Sequence, residues 1–193
     1  MPKKVDRQER RTLIADALMR VAAEQGLEAV SLRHVAAEAG VSAGMVQHYF
    51  RTKDEMMAFA LDVVRERGQA RVTAALSRLG EDPAPRLLLR TMIAALLPLD
   101  EQTRADGRVA LAFLAYTAVR PAAATGLRTE TAQLSAFVSG ILPVPDPDDA
   151  AAGLLALMEG LGLYLLGGQY TAEQALRALD THLDLLFGPP APA

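Results

Sequence analysis

Residues 31–50, SLRHVAAEAGVSAGMVQHYF, constrain the fold more than any other stretch of the chain. Ser31 and Ser42 are plausible N-caps of two short helices. Ala36 is small where two helices must cross closely. Gly40, four residues on, stands where the turn needs a backbone tolerant of positive φ. Val46, six residues further, should pack back onto Ala36. Leu32, Val35, Val41 and Tyr49 can then close a miniature core with Leu18 and Val21 of a preceding amphipathic helix. Small, Gly and apolar residues at these spacings are the signature of a helix-turn-helix.

The rest of the chain also reads as helix. Ala, Leu, Arg and Glu dominate, β-branched runs are missing, and prolines act as punctuation. The predicted helices run over about 6–25, after Ser31, after Ser42, from Thr52 to about 79, and over 85–97. Further helices are expected at 100–119 (interrupted by Gly107), 122–141, 148–167 and 172–187. Thr52 and Glu55 form a capping box, as do Thr171 and Gln174. The fold class is therefore all-α. A three-helix head at 1–52 carries the helix-turn-helix, a helical body spans 53–188, and the Pro/Ala-rich tail 189–193 reads as disordered.

Charge divides the same way. Residues 1–53 hold nine Lys/Arg against six Asp/Glu, a net +3, whereas residues 54–193 are at −6. A basic end on an acidic body suits double-stranded DNA as the partner of the head alone. The second helix of the motif would enter the major groove. Ser42, Ala43 and Gly44 begin it with short side chains that let backbone approach phosphates. Gln47 and His48 could reach base edges, Gln being suited to adenine. Tyr49 could reach a phosphate or stay in the core. Lys53, in the first turn of the next helix, would clamp a phosphate together with that helix's amides and dipole. Arg33 could grip backbone or a base edge. Lys3, Lys4, Arg7, Arg10 and Arg11 form a basic arm able to touch phosphates or a minor groove.

Residues 7 to about 60 closely resemble the TetR family of repressors, on the amphipathic first helix, the 31–50 motif and the hinge Tyr49-Phe50-Arg51-Thr52-Lys53-Asp54-Glu55. The resemblance implies about nine helices, a C-terminal effector pocket, dimerisation through the last two helices, a palindromic operator and ligand-induced release. By position it places DNA contacts on Arg33, Ser42, Ala43, Gly44, Gln47, His48, Tyr49 and Lys53; Ala43 replaces the longer polar residue some members carry. The wording VQHYF and the stretch LLPLDEQTRAD look most like the choline-responsive BetI-like branch.

In the body, the helix near 150–167 is apolar nearly all round, so more than one of its sides should be buried. Paired with the heptad-like helix at 172–187, it predicts a homodimer interface of four helices over about 148–187. Phe59, Met92, Phe113, Tyr116 and Met158 are candidates for lining an effector pocket. An effector should be mostly apolar or a cationic amphiphile. With no Trp and few aromatics, a full cage for a quaternary ammonium is poorly provided for, which counts against choline.

No catalytic residues, cofactor or metal are expected. No nucleophile–base pair or metal-ligand spacing appears, the chain has no Cys, and His34 and His182 read as surface or packing residues. No signal peptide is visible. The most apolar segment, 153–168, is short for a membrane span and carries Glu159. A cytoplasmic protein without membrane contact is expected. A non-catalytic dimerisation or adaptor protein, and a ligand-dependent co-repressor or activator, stay open as alternatives.

Overall fold

The computed structural model describes residues 7–26, 29–118 and 125–188. Nine α-helices and no strand occur among them: α1 Arg7–Gln25, α2 Leu32–Glu38, α3 Ala43–Tyr49, α4 Lys53–Leu76, α5 Pro85–Leu96, α6 Glu101–Ala118, α7 Thr125–Ser139, α8 Pro147–Leu166 and α9 Ala172–Phe187. Lys3 and Lys4 of the expected arm, and the tail 189–193, lie outside the described residues.

Local chemistry sets most helix ends. The Ser31 hydroxyl accepts the His34 amide at 3.2 Å, and the Ser42 hydroxyl accepts the Met45 amide at 3.1 Å. Thr52 accepts the Glu55 amide at 3.0 Å. The Glu55 carboxylate, however, takes the Arg51 amide (2.9 Å), one residue upstream of the cap it was expected to bond. Thr171 and Gln174 make the complete reciprocal box. Pro85 and Pro147 stand in the first turns of α5 and α8, where a missing N–H costs nothing. Asp146 occupies the α8 cap position without a side-chain cap bond, and its neighbour Asp148 accepts the Ser139 hydroxyl. Gly107, expected to interrupt α6, lies within an unbroken helix. A second reciprocal box opens that helix: Asp100 accepts the Thr103 amide at 2.8 Å, and Thr103 Oγ1 accepts the Asp100 amide at 3.0 Å.

The described residues pack as two compact units. One is made of residues up to Arg67 with 105–116, the other of residues 68–104 with those from Thr117 onward. The sequence divides the chain by role at 52/53; packing draws its line elsewhere, since the first half of α4 and most of α6 belong with the N-terminal helices. The first unit's core joins Ile14, Leu18 and Val21 of α1, Val35 and Ala36 of α2 and Val46 of α3. Phe50, Met56, Met57 and Ala60 continue it, and Val109 and Phe113 of α6 complete it. At its edge Arg67 donates to Asp16 (2.6 Å) and to the buried Asp106 (3.4 Å), tying α4 to α1 and α6.

The second unit's core contains Leu89 and Ile93 of α5, Val138 of α7, Leu154, Leu161 and Leu165 of α8, and Leu179 and Leu183 of α9. Half-exposed ion pairs fix α5 against α9: Arg90 grips both carboxylate oxygens of Asp180 (2.6 and 3.0 Å), and Arg86 Nε donates to Asp184 at 2.9 Å. With its 20 residues, α8 is longer than the segment judged too short for a membrane, and by length and composition alone could cross one. Its Leu154, Leu161 and Leu165 are instead core residues of this unit.

Candidate nucleic-acid interface

The site begins with the turn between α2 and α3. Gly40 has φ +65°, and its amide donates to the Ala37 carbonyl (3.2 Å) while the Val41 amide donates to that of Ala36 (2.9 Å). This pair of bonds is a Schellman ending, which satisfies the last carbonyls of α2 and turns the chain into α3. Val46 and Phe50, one helical turn apart, are fully buried and hold α3 by one side.

That anchorage sets the phase of the helix. At about 100° per residue, Gly44 and His48 lie opposite Val46, with Met45 and Gln47 on the two flanks. All four are exposed, as is the capping Ser42. Ala43 and Tyr49 are half-buried against the core, and Tyr49 meets the His48 ring edge-on with centroids 5.2 Å apart. Tyr49 is thus both core and rim. A Cβ on Gly44 would meet nothing closer than Ser42 Oγ at 3.9 Å, and Gly44 does not have positive φ. Neither packing nor backbone geometry within the chain requires glycine there, although glycine in a helix costs about 1 kcal/mol relative to alanine. Lys53 is the first residue of α4 and is half-buried; Arg33 is exposed on α2.

Two placements differ from the sequence reading. Arg11, assigned to the basic arm, lies half-buried with its guanidinium 4.2 Å from the Phe59 ring centroid and 5.1 Å from that of Phe50. The cation is held on aromatic faces; Arg7 is exposed and Arg10 half-buried. Sequence reasoning also passed over Met45. The signal for it was the burial of Val46 and Phe50, which turns the residue just before Val46 outward.

The family model for bacterial regulatory proteins of the tetR family matches residues 14–60, and that for the C-terminal part of BetI-type transcriptional repressors matches residues 85–188, more than half the chain. The chain belongs to the TetR family of transcriptional regulators. It is 35% identical to the HTH-type transcriptional regulator PksA of Bacillus subtilis over 86% of this chain and 83% of that one. With the regulator BetI of Burkholderia thailandensis it shares 32% identity over 99% of this chain and all of the relative. A transcriptional regulator from Rhodococcus sp. Rha1 has the same fold, with a TM-score of 0.84 and 35% identity over 94% of this chain and 99% of that one. The multidrug binding protein EbrR, solved with imidazole, gives a TM-score of 0.61 at 32% identity, covering 95% of this chain and 97% of that one. As a TetR-family member, the chain is a DNA-binding regulator whose helix-turn-helix is α2–α3.

The effector candidates of this TetR-family regulator fall into two separate cores. Phe59, Phe113 and Tyr116 belong to the first unit, and Met92 and Met158 to the second. Phe113 and Met92 are almost wholly enclosed by their own cores. The rings of Phe113 and Tyr116 lie 6.2 Å apart, and those of Phe50 and Phe59 5.5 Å. The Tyr116 hydroxyl donates to Asp54, the residue after Lys53 in the first turn of α4. An aromatic of α6 is thereby hydrogen-bonded to the turn that carries the expected phosphate clamp.

Proposed function

We propose that this regulator represses transcription as a homodimer on a palindromic operator and that a small-molecule effector releases it. The observation that carries the reading is the outward face of α3: Gly44, Gln47 and His48 lie away from the side locked by Val46 and Phe50, with the capping Ser42 exposed at the start of the helix. In this reading Gln47 and His48 address base edges, while Ser42, Gly44, Tyr49, Lys53 and Arg33 contact or approach the phosphate backbone. Ala43 lies at the margin, its side chain with no hydrogen bond to offer.

Reading an inverted repeat requires two copies of α3 about one turn of DNA apart, which a two-fold dimer supplies. The helices proposed to form it, α8 and α9, support this. Leu163 and Tyr164 on α8 are 48% and 45% exposed, beside exposed Ala152 and Ala156, and Leu185 on α9 is 77% exposed. So much uncovered apolar surface on two adjacent C-terminal helices fits an obligate apolar interface.

The effector proposed is an apolar or cationic amphiphile, in keeping with EbrR, a multidrug binding relative solved with malachite green as well as imidazole. Of the candidates, Phe59 and Tyr116 in the first unit and Met158 in the second keep some exposure, whereas Phe113 and Met92 would have to be uncovered to meet it. Displacing the Tyr116–Asp54 bond would disturb the start of α4, and a coupling of ~1–3 kcal/mol would change operator affinity between several-fold and about a hundredfold. The role is non-catalytic, and its place is the cytoplasm, where the operator is.

The test is to incubate the purified protein with fragmented DNA from its source, recover what it retains and sequence it. An enriched inverted repeat is expected, with Gln47→Ala relaxing the preference at one base pair per half-site. No enrichment at low salt without added ligand would overturn the reading in favour of a co-repressor-dependent regulator or an adaptor.

A further inference from the structure

We infer that Met45 reads sequence by seating its thioether side chain against the C5-methyl group of a thymine in the major groove. The inference rests on the DNA-contacting role proposed for α3. Three observations lead to it. Met45 is 37% exposed and is not among the partly buried side chains that pack on the first core, although Val41, Ala43 and Tyr49 around it are. Its angular place is fixed, because Val46 and Phe50 are fully buried and the residue one step before Val46 lies about 100° away from the anchored side. The residue beside it, Gly44, has no side chain, and a Cβ there would meet nothing closer than Ser42 Oγ at 3.9 Å. The helix can therefore come close to a surface along the edge that Met45 borders.

Chemistry then selects the partner. A thioether has no donor and is only a weak acceptor, so Met45 can discriminate bases only by shape and apolar contact. In the major groove the four base pairs present hydrogen-bonding groups, and thymine alone adds a methyl. Met is also unbranched and polarizable, so it can adapt to a methyl whose position the backbone does not fix rigidly. Gln47 lies on the opposite flank of α3, so the two side chains address different base pairs. The helix thus carries one hydrogen-bonding reader and one apolar reader either side of a glycine–histidine centre.

Uracil isolates this contact, because it pairs as thymine does and lacks only the methyl. Once the operator is known, each thymine of a half-site is replaced in turn by uracil. Affinity is then measured by fluorescence anisotropy for the full-length protein and for Met45→Ala. At one thymine the wild-type protein should lose about four-fold per half-site, the worth of one buried carbon group, and about fifteen-fold with both half-sites substituted. Met45→Ala should bind the thymine and uracil forms of that position equally, and respond like wild type at every other thymine. Met45→Leu, which keeps an apolar reach, should restore the discrimination. If no thymine shows a uracil penalty that depends on residue 45, the inference is wrong while operator binding itself stands. If no operator is bound at all, the DNA-contacting reading of α3 fails, and this inference with it.

Discussion

Leu185 offers a quantitative handle on assembly. Its neighbours Leu179 and Leu183 are completely buried within the second unit, yet Leu185 itself is 77% exposed. Burying a leucine fully contributes about 1.5–3 kcal/mol, so the exposed three-quarters holds about 1–2 kcal/mol that only a partner can recover. A two-fold interface contains the residue twice. Leu185→Ala should therefore weaken the dimer by about 2–4 kcal/mol, or roughly 30- to 1,000-fold in dissociation constant. A dilution series by analytical ultracentrifugation reads this directly. Because Leu185 makes so little of its own chain's core, the isolated variant should lose less than about 0.5 kcal/mol of intrinsic stability. Its melting temperature should, however, rise with protein concentration over a higher range than the wild type's. Leu185→Asp should act in the same direction and further, since each dimer would enclose two carboxylates. A dissociation constant unchanged within three-fold in both variants would refute the reasoning and move the interface off this face of α9.

Other outcomes follow from single residues. Gly40→Ala should destabilise the protein by about 1–2 kcal/mol, seen as a lower melting temperature, because a Cβ at φ +65° is strained although nothing lies within 4 Å of it. Lys53→Ala should weaken binding to all operators alike and reduce the slope of log affinity against log salt by about one per subunit; an unchanged slope removes Lys53 from the phosphate contacts. Desolvation holds the Glu159 carboxyl above its usual range. The stability associated with its protonated form is complete at acid pH, below the ordinary value, and is lost as pH rises through the raised one. Glu159→Gln should accordingly flatten urea-unfolding stability over that rise and raise it near neutrality, and an unaltered pH profile would contradict the assignment.

The order of the helices was legible because their ends are written locally. Ser31, Ser42, Thr52 and Thr171 each cap within three residues of themselves, and Gly40 closes α2 through its own amide and that of Val41. Ala36, Val46, Leu18 and Val21 form the expected core because the motif spacing encodes a crossing, not merely a helix. Less legible were pairings between distant residues. A guanidinium four residues from Arg7 looks the same in sequence whether it meets phosphate or rings, and only the packing of Phe50 and Phe59 claims Arg11. Tyr116 with Asp54, and Arg90 with Asp180, are 62 and 90 positions apart, and no local period announces them. Met45 was missed for a related reason. In a helix of seven residues the apolar pattern is too short to show which hydrophobic faces inward until Val46 and Phe50 are seen to be buried together.

The way α4 is shared between the two units bears on how such a regulator can be recombined. A chimera that joins this head to a foreign sensor at residue 52 would discard Met56, Met57 and Ala60, and with α6 also Val109 and Phe113, all of which line the core that steadies α3. The portable cassette is therefore larger than the stretch that touches DNA. A graft has to carry α4 as far as Arg67 and supply an α6 equivalent, or the transplanted reader will arrive without the floor it stands on.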